Sequence, residues 1–199
     1  MDSDEENALI NETRKLRREG QIENARKILL SLSAEQSVAG MVELADLTLD
    51  EGKKSDSDAW MKKAEAAVRP GDDDDHLRLH FGYSLGLGEG SFFDNLKSAF
   101  DHLEQAAQYN FVAQERVALH YLEARNGIER DLSKFEYWIK RAIAAGSPRA
   151  VYIFVEYLFR SRQPIPPGLI AVLEDFRADN KAAAKLLRAV EKHAKKKPG

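Results

Sequence analysis

The chain has 199 residues, no cysteine and a formal net charge of −3. That length allows a substantial core, the missing thiols exclude disulfides and thiolate metal sites, and the charge gives nucleic acid no global attraction. Ala, Leu, Glu, Lys and Arg dominate while Val-Ile-Thr alternation is almost absent, so the composition predicts an all-α protein.

In chain order, Met1 leads into an acidic run rather than the basic-then-apolar order of a signal peptide, and no stretch approaches 18 apolar residues. The expectation is a cytoplasmic chain without membrane insertion. Helix-turn-helix units follow at a period of 32 to 37 residues, aligned on the large residue before each turn: Leu16, Thr48, Leu85, Leu122 and Leu158. That period suits two-helix repeats. Unit one, about 5–33, turns at Gly20, with Ala25, Ile28, Leu29 and Leu32 as the apolar face of its second helix. Unit two, about 38–69, turns at Gly52 and carries Trp60 on its second helix. Unit three, about 74–109, begins in the Asp72 to Asp75 run, where one aspartate caps the helix, and turns at Gly86, Gly88 and Gly90. Unit four, about 112–146, turns at Gly127-Ile128. Unit five, about 148–176, starts at Pro148 after Ser147 and is broken by Pro164, Pro166 and Pro167. A capping helix over 180–195 has Leu186, Leu187 and Val190 on one face, and the lysine-rich end beyond it is expected to fray. The whole of 1–199 reads as one repeat domain.

Units three and four resemble the Sel-one-like repeat (SLR), a relative of the tetratricopeptide repeat (TPR). The resemblance rests on Gly127-Ile128, Asp131, Lys134, Trp138, Arg141-Ala142, Gly146 and Ala150 in unit four, and on Phe81-Gly82, Leu85, Gly88, Gly90 and Asp94 in unit three. Unit two keeps Leu44-Ala45, Trp60 and Lys63-Ala64. Departures are Leu122 and Arg125 in place of the family's Tyr and first Gly, Phe135 in place of a small residue, and a fifth unit without turn glycines. The resemblance implies a right-handed α-solenoid of about five antiparallel helix pairs with a C-terminal cap, binding a protein or peptide. Trp60 and Trp138 are expected in the core, since aromatics at helical spacing dominate cores.

No motif carries chemistry. The five histidines form no HExxH, and His76 and His80, one helical turn apart, lack a third ligand in sequence. Gly86-Leu87-Gly88-Glu89-Gly90 follows no strand and lacks the Lys-Ser/Thr of a phosphate loop. No nucleophile elbow occurs. The basic clusters, Arg14 to Arg18 and Lys192 to Lys197, lie at opposite ends with acidic stretches between, whereas phosphate tracking wants a continuous stripe. The chain is therefore read as a non-enzyme without catalytic residues, cofactor, metal or nucleic-acid site.

In stacked helix pairs the first helices line the concave face. Helical period then exposes Arg14, Arg17 and Arg18 on unit one, Asp46, Leu49 and Asp50 on unit two, and Leu79, His80 and Tyr83 on unit three. It exposes Arg116, His120 and Glu123 on unit four, and Tyr152, Glu156 and Arg160 on unit five. The expected partner-binding set is Tyr83, His80, Arg116, His120, Glu123, Tyr152, Glu156 and Arg160, because Tyr and Arg dominate binding hot spots. The functional expectation is a protein-protein interaction module: an adaptor, assembly factor or partner-specific inhibitor, monomeric in itself. Alternatives are a self-assembling scaffold with the proline-broken unit five or Phe154 and Phe159 as its surface, or an immunity protein or effector chaperone.

Overall fold

The computed structural model describes residues 2–178 and 180–194, apart from the side chains at 92, 93 and 194. The lysine-rich end expected to fray, and the last residue of the expected capping helix, lie outside the described residues. Those described form eleven α-helices and no strand: α1 (Ser3–Arg18), α2 (Ile22–Ala34), α3 (Val38–Asp50), α4 (Lys54–Ala66), α5 (Asp73–Ser84), α6 (Phe92–Ala106), α7 (Phe111–Glu123), α8 (Leu132–Ala144), α9 (Pro148–Arg160), α10 (Pro167–Phe176) and α11 (Lys181–Ala194). These are the five expected helix pairs and the terminal helix.

Local chemistry sets the boundaries. Side-chain oxygens of Ser37, Asp72, Asp131 and Ser147 each accept from the backbone N–H three residues on, satisfying donors the first helical turn leaves unpaired. Ser91 and Asp94 form a reciprocal capping box on α6. Pro148 occupies the first turn of α9, as expected. The first helices of units one, two, three and five end in the same closure, in which a backbone N–H bonds the carbonyl five residues back. The acceptors are Leu16, Thr48, Gly82 and Leu158. The closing bond of unit three thus falls three residues before Leu85, the position its period had marked. Leu85 itself is 67% exposed. In unit five Arg162 takes the positive φ that glycine supplies elsewhere, and unit four turns through positive φ at Ala124, Asn126 and Gly127.

Backbone contacts divide the chain into two compact units. One runs through Ala113 and takes in Asn126–Ile128; the other is Gln114–Arg125 with the chain from Glu129 onward. In the first, α3 is buried on two sides. Ala39, Leu44 and Leu47 join Ile10, Leu29 and Leu32, while Val38, Met41 and Ala45 join Met61, Ala64, Leu79, Tyr83, Leu87 and Ala99. Trp60 packs against both clusters, filling the space between successive helix pairs as expected. In the second unit Trp138 is buried, and Val151 and Val155 of α9 meet Leu173, Ala183, Leu186 and Leu187 of α10 and α11. Phe154 is buried and Phe159 packs beside that cluster. Neither of the two aromatics expected as a self-association surface is exposed: Phe154 lies against Phe135 of α8, and Phe159 is half-buried beside α10 and α11.

Candidate partner-binding site

The second unit contains a groove of about 350 Å³ between its two first helices, α7 and α9. Leu119, Leu122 and Glu123 come from α7; Ile153, Glu156, Tyr157 and Arg160 come from α9, with Ser161 at its end and Arg130 from the turn before α8. The α9 residues fall at i, i+3, i+4 and i+7, one face of a helix. Leu119, Leu122, Ile153 and Tyr157 make an apolar floor, and Glu123, Arg130, Glu156 and Arg160 a charged rim.

The groove is held from behind. Phe135 is fully buried and meets the Tyr157 ring edge-on at 4.8 Å, and Phe154 stacks on Tyr157 at 6.2 Å. At the start of α9, Ser147 caps the helix through its oxygen and donates its hydroxyl to the buried Glu115 carboxylate of α7. Arg149 reaches the same carboxylate at 3.4 Å. The Asp131 N–H donates to the Tyr121 carbonyl at 3.0 Å, and Lys134 Nζ donates to the Tyr121 hydroxyl at 3.2 Å. These bonds fix the α7-to-α8 turn that carries Arg130.

Three of the expected site residues, Glu123, Glu156 and Arg160, come together in this groove. Tyr152 is half-buried against the Val151–Val155 cluster and hydrogen-bonded to Glu156; burial, then the Glu156 charge, raises its phenol pKa. Arg116 and His120 are half-buried, with Arg116 Nε and His120 Nδ1 inside the protein. Burial lowers the His120 pKa, against the hydrogen bond the imidazole donates to the Arg125 backbone carbonyl.

His80 and Tyr83 correct the expectation of an exposed anchor on unit three: they are 5% and 6% exposed, and Leu79 is fully buried. His80 Nδ1 lies 2.8 Å from the Ala99 carbonyl of α6, and the Tyr83 ring stacks on His102 at 5.6 Å. Gly82 makes this possible: its missing Cβ leaves room for Met61 and Val42, so α5 presses close to α3 and α4. Burial, then the hydrogen bond to Glu65, raises the Tyr83 phenol pKa. The large apolar side chains exposed here are instead Phe81 on α5 and Leu85 just after it.

A second hollow, of about 650 Å³, lies beside α1 and α3 in the first unit. Arg14, Arg17, Arg18, Ile22, Leu47, Asp50 and Glu51 line it. The expected exposed arginines are here, but two are committed. Arg14 Nε donates to Glu43 at 2.8 Å, and Arg17 reaches Asp46 at 2.8 Å, Asp50 at 2.7 Å and Glu43 at 3.4 Å. Burial of Arg17 opposes its charge, yet the Asp46 bond and the surrounding carboxylates outweigh it and raise its pKa.

Among the described residues no group of three or more His, Asp or Glu side chains is placed to hold a metal ion, and no helix is long and apolar enough to cross a membrane. His76 pairs with His102, Nδ1 to Nδ1 at 3.1 Å.

Sequence reasoning did not identify the floor residues Leu119, Leu122, Ile153 and Tyr157, or Arg130. The signal was present in the i, i+3, i+4, i+7 run from Ile153 to Arg160, which shares Glu156 and Arg160 with the 152, 156, 160 set and has Ile153 and Tyr157 in place of Tyr152.

No family model and no curated protein sequence matches the chain. Among solved structures it is similar to a Sel1 repeat protein from Oxalobacter formigenes, with 21% identity and a TM-score of 0.59 over 84% of this chain and 49% of that one. It is also similar to a monomeric mutant of IFIT1 solved with m7Gppp-AAAA, with 16% identity and a TM-score of 0.54 over 92% of this chain and 45% of that one. The chain spans about half the length of these structures. The likeness shows the fold: an all-α array of Sel1-like, TPR-like helix pairs.

Proposed function

We propose that the protein is an interaction module that binds a segment of another protein along the α7–α9 groove. The observation that carries this reading is the groove itself: an apolar floor held by buried aromatics, ringed by both signs of charge on two stacked first helices. Such a surface favours a preformed fit to an amphipathic polypeptide. Repeat arrays of helix pairs commonly bind along such extended faces. Within that role an adaptor, an assembly factor and a partner-specific inhibitor use the same contacts and differ only in what the partner does next.

IFIT1 was solved with a capped oligonucleotide. The arginine-lined hollow beside α1 is the place where this chain would meet phosphates, but Arg14 and Arg17 already answer Glu43, Asp46 and Asp50. A phosphate backbone would have to displace those carboxylates. This supports a polypeptide ligand over a nucleic acid.

Panning a random 12-residue peptide display library on the wild type and on Leu119→Asp/Leu122→Asp tests the reading, with circular dichroism to verify that the variant is folded. Clones selected by the wild type should bind the variant at least about tenfold more weakly, as loss of a desolvated apolar anchor does. Equal binding to both proteins would place the site elsewhere.

A further inference from the structure

We infer that the α7–α9 groove selects an acidic-aliphatic segment: a bulky aliphatic side chain on the floor and an Asp or Glu carboxylate, two to four residues away, on Arg130. The inference rests on the peptide-binding reading above and adds the chemistry of the ligand.

The rim charges decide the sign. Glu156 is held by Arg160 at 2.6 Å. Glu123 is held by Arg125. Arg130 is the rim charge that has no ion pair among the described residues. A partner carboxylate therefore gains Arg130 without breaking an existing pair, whereas a partner ammonium must first take Glu123 or Glu156 from its arginine. Charge complementarity of this kind sets specificity more than raw affinity.

Arg130 is also anchored. Its neighbour Asp131 donates its N–H to Tyr121 at 3.0 Å and caps α8 by accepting from the Lys134 N–H at 2.9 Å. The guanidinium thus projects from a backbone tied at both the α7 and α8 ends, which reduces the ordering cost of recognition. The floor sets the other half of the motif. Ile153 is nearly buried, Leu119 and Leu122 are half-buried, and Tyr157 is backed by Phe135 and Phe154. A hollow of about 350 Å³ is at the small end for ligand pockets, suited to one or two side chains.

The test pans a random 12-residue display library on the wild type, on Arg130→Glu and on Leu119→Asp/Leu122→Asp, then measures selected peptides by fluorescence polarisation. Peptides selected by the wild type should share Leu, Ile or Met with Asp or Glu two to four positions away. Replacing that acid with Lys should weaken wild-type binding about fivefold or more, and Arg130→Glu should restore it, the behaviour of a rim charge pair. Acid-free binders that the Leu119→Asp/Leu122→Asp protein loses, or indifference to Arg130→Glu, would overturn this inference and leave the peptide-binding reading standing. Failure to enrich any peptide on the wild type would overturn both.

Discussion

Glu115 shows how much a single side chain settles. It is a buried carboxylate that accepts the Ser147 hydroxyl and faces Arg149, so it ties α7 to the start of α9 and sets the width of the groove. Glu115→Ala strands the Ser147 hydroxyl, and urea denaturation should show a loss of about 1–3 kcal/mol. An unchanged midpoint would mean that the groove is held by the aromatic packing alone. The histidines set the pH response. His102 Nε2 lies 3.4 Å from Glu65, and its Nδ1 lies 3.1 Å from His76 Nδ1. Burial, then the charge of His102, lowers the His76 pKa against Asp75, Asp72 and Asp73; burial lowers that of His120. Both are favoured neutral in the fold, so the unfolded chain takes up protons first as the pH falls below the ordinary histidine value of 6.5. Stability contributed by the two groups is full above that value and is lost as pH falls towards their lowered folded values. Melting curves should show a lower midpoint at pH 5.5 than at pH 7.5, and His76→Gln should reduce the difference. A midpoint that does not move with pH would contradict the assignment.

At the scale of the helix pair, turns with similar glycines carry different loads. Gly88 has φ +101°, and a Cβ there would lie 2.4 Å from the Tyr83 ring; Gly127 has φ +78° and open space around its Cβ position. Gly127→Ala should cost about 1 kcal/mol for left-handed backbone alone. Gly88→Ala should cost about 2 kcal/mol more, because Tyr83 cannot retreat past His102. Equal losses in chemical denaturation would show that the α5–α6 hairpin is loosely packed. The same pairs explain what the sequence made legible. Gly20, Gly52, the Asp72 to Asp75 run and Ser147-Pro148 act within their own turn, so residue type and spacing sufficed to mark those helix ends. The burial of His80 and Tyr83 depends on α6 and on the close approach at Gly82, contacts made across 19 residues or more, which the period of one helix does not encode. On α9 the expected strip took in Glu156 and Arg160 but held Tyr152 in place of Ile153 and Tyr157, because it stepped by four along a helix of 3.6 residues per turn. Arg130 escaped because it belongs to a turn, where no periodicity marks the outward direction.

At the scale of the whole chain, helix-pair repeats draw stability from each pair and its neighbour, so damage should stay local. Leu173 is fully buried where α10 meets α9 and α11. Leu173→Ala should cost about 2–4 kcal/mol in that region. Hydrogen exchange should quicken in α9–α11 and remain unchanged in α1–α4; loss of protection throughout would mean that the chain unfolds as one cooperative block. Of the two hollows, one has two of its three arginines held in internal pairs, and the other has an apolar floor and, in Arg130, a cation with no ion pair among the described residues; binding is proposed in the second. The most direct test is amide chemical-shift mapping of the full chain with a peptide selected on the wild type. Shifts should concentrate at residues 119–123, 130 and 153–161. Shifts concentrated instead around Arg14, Arg17, Arg18 and Asp50 would contradict that placement.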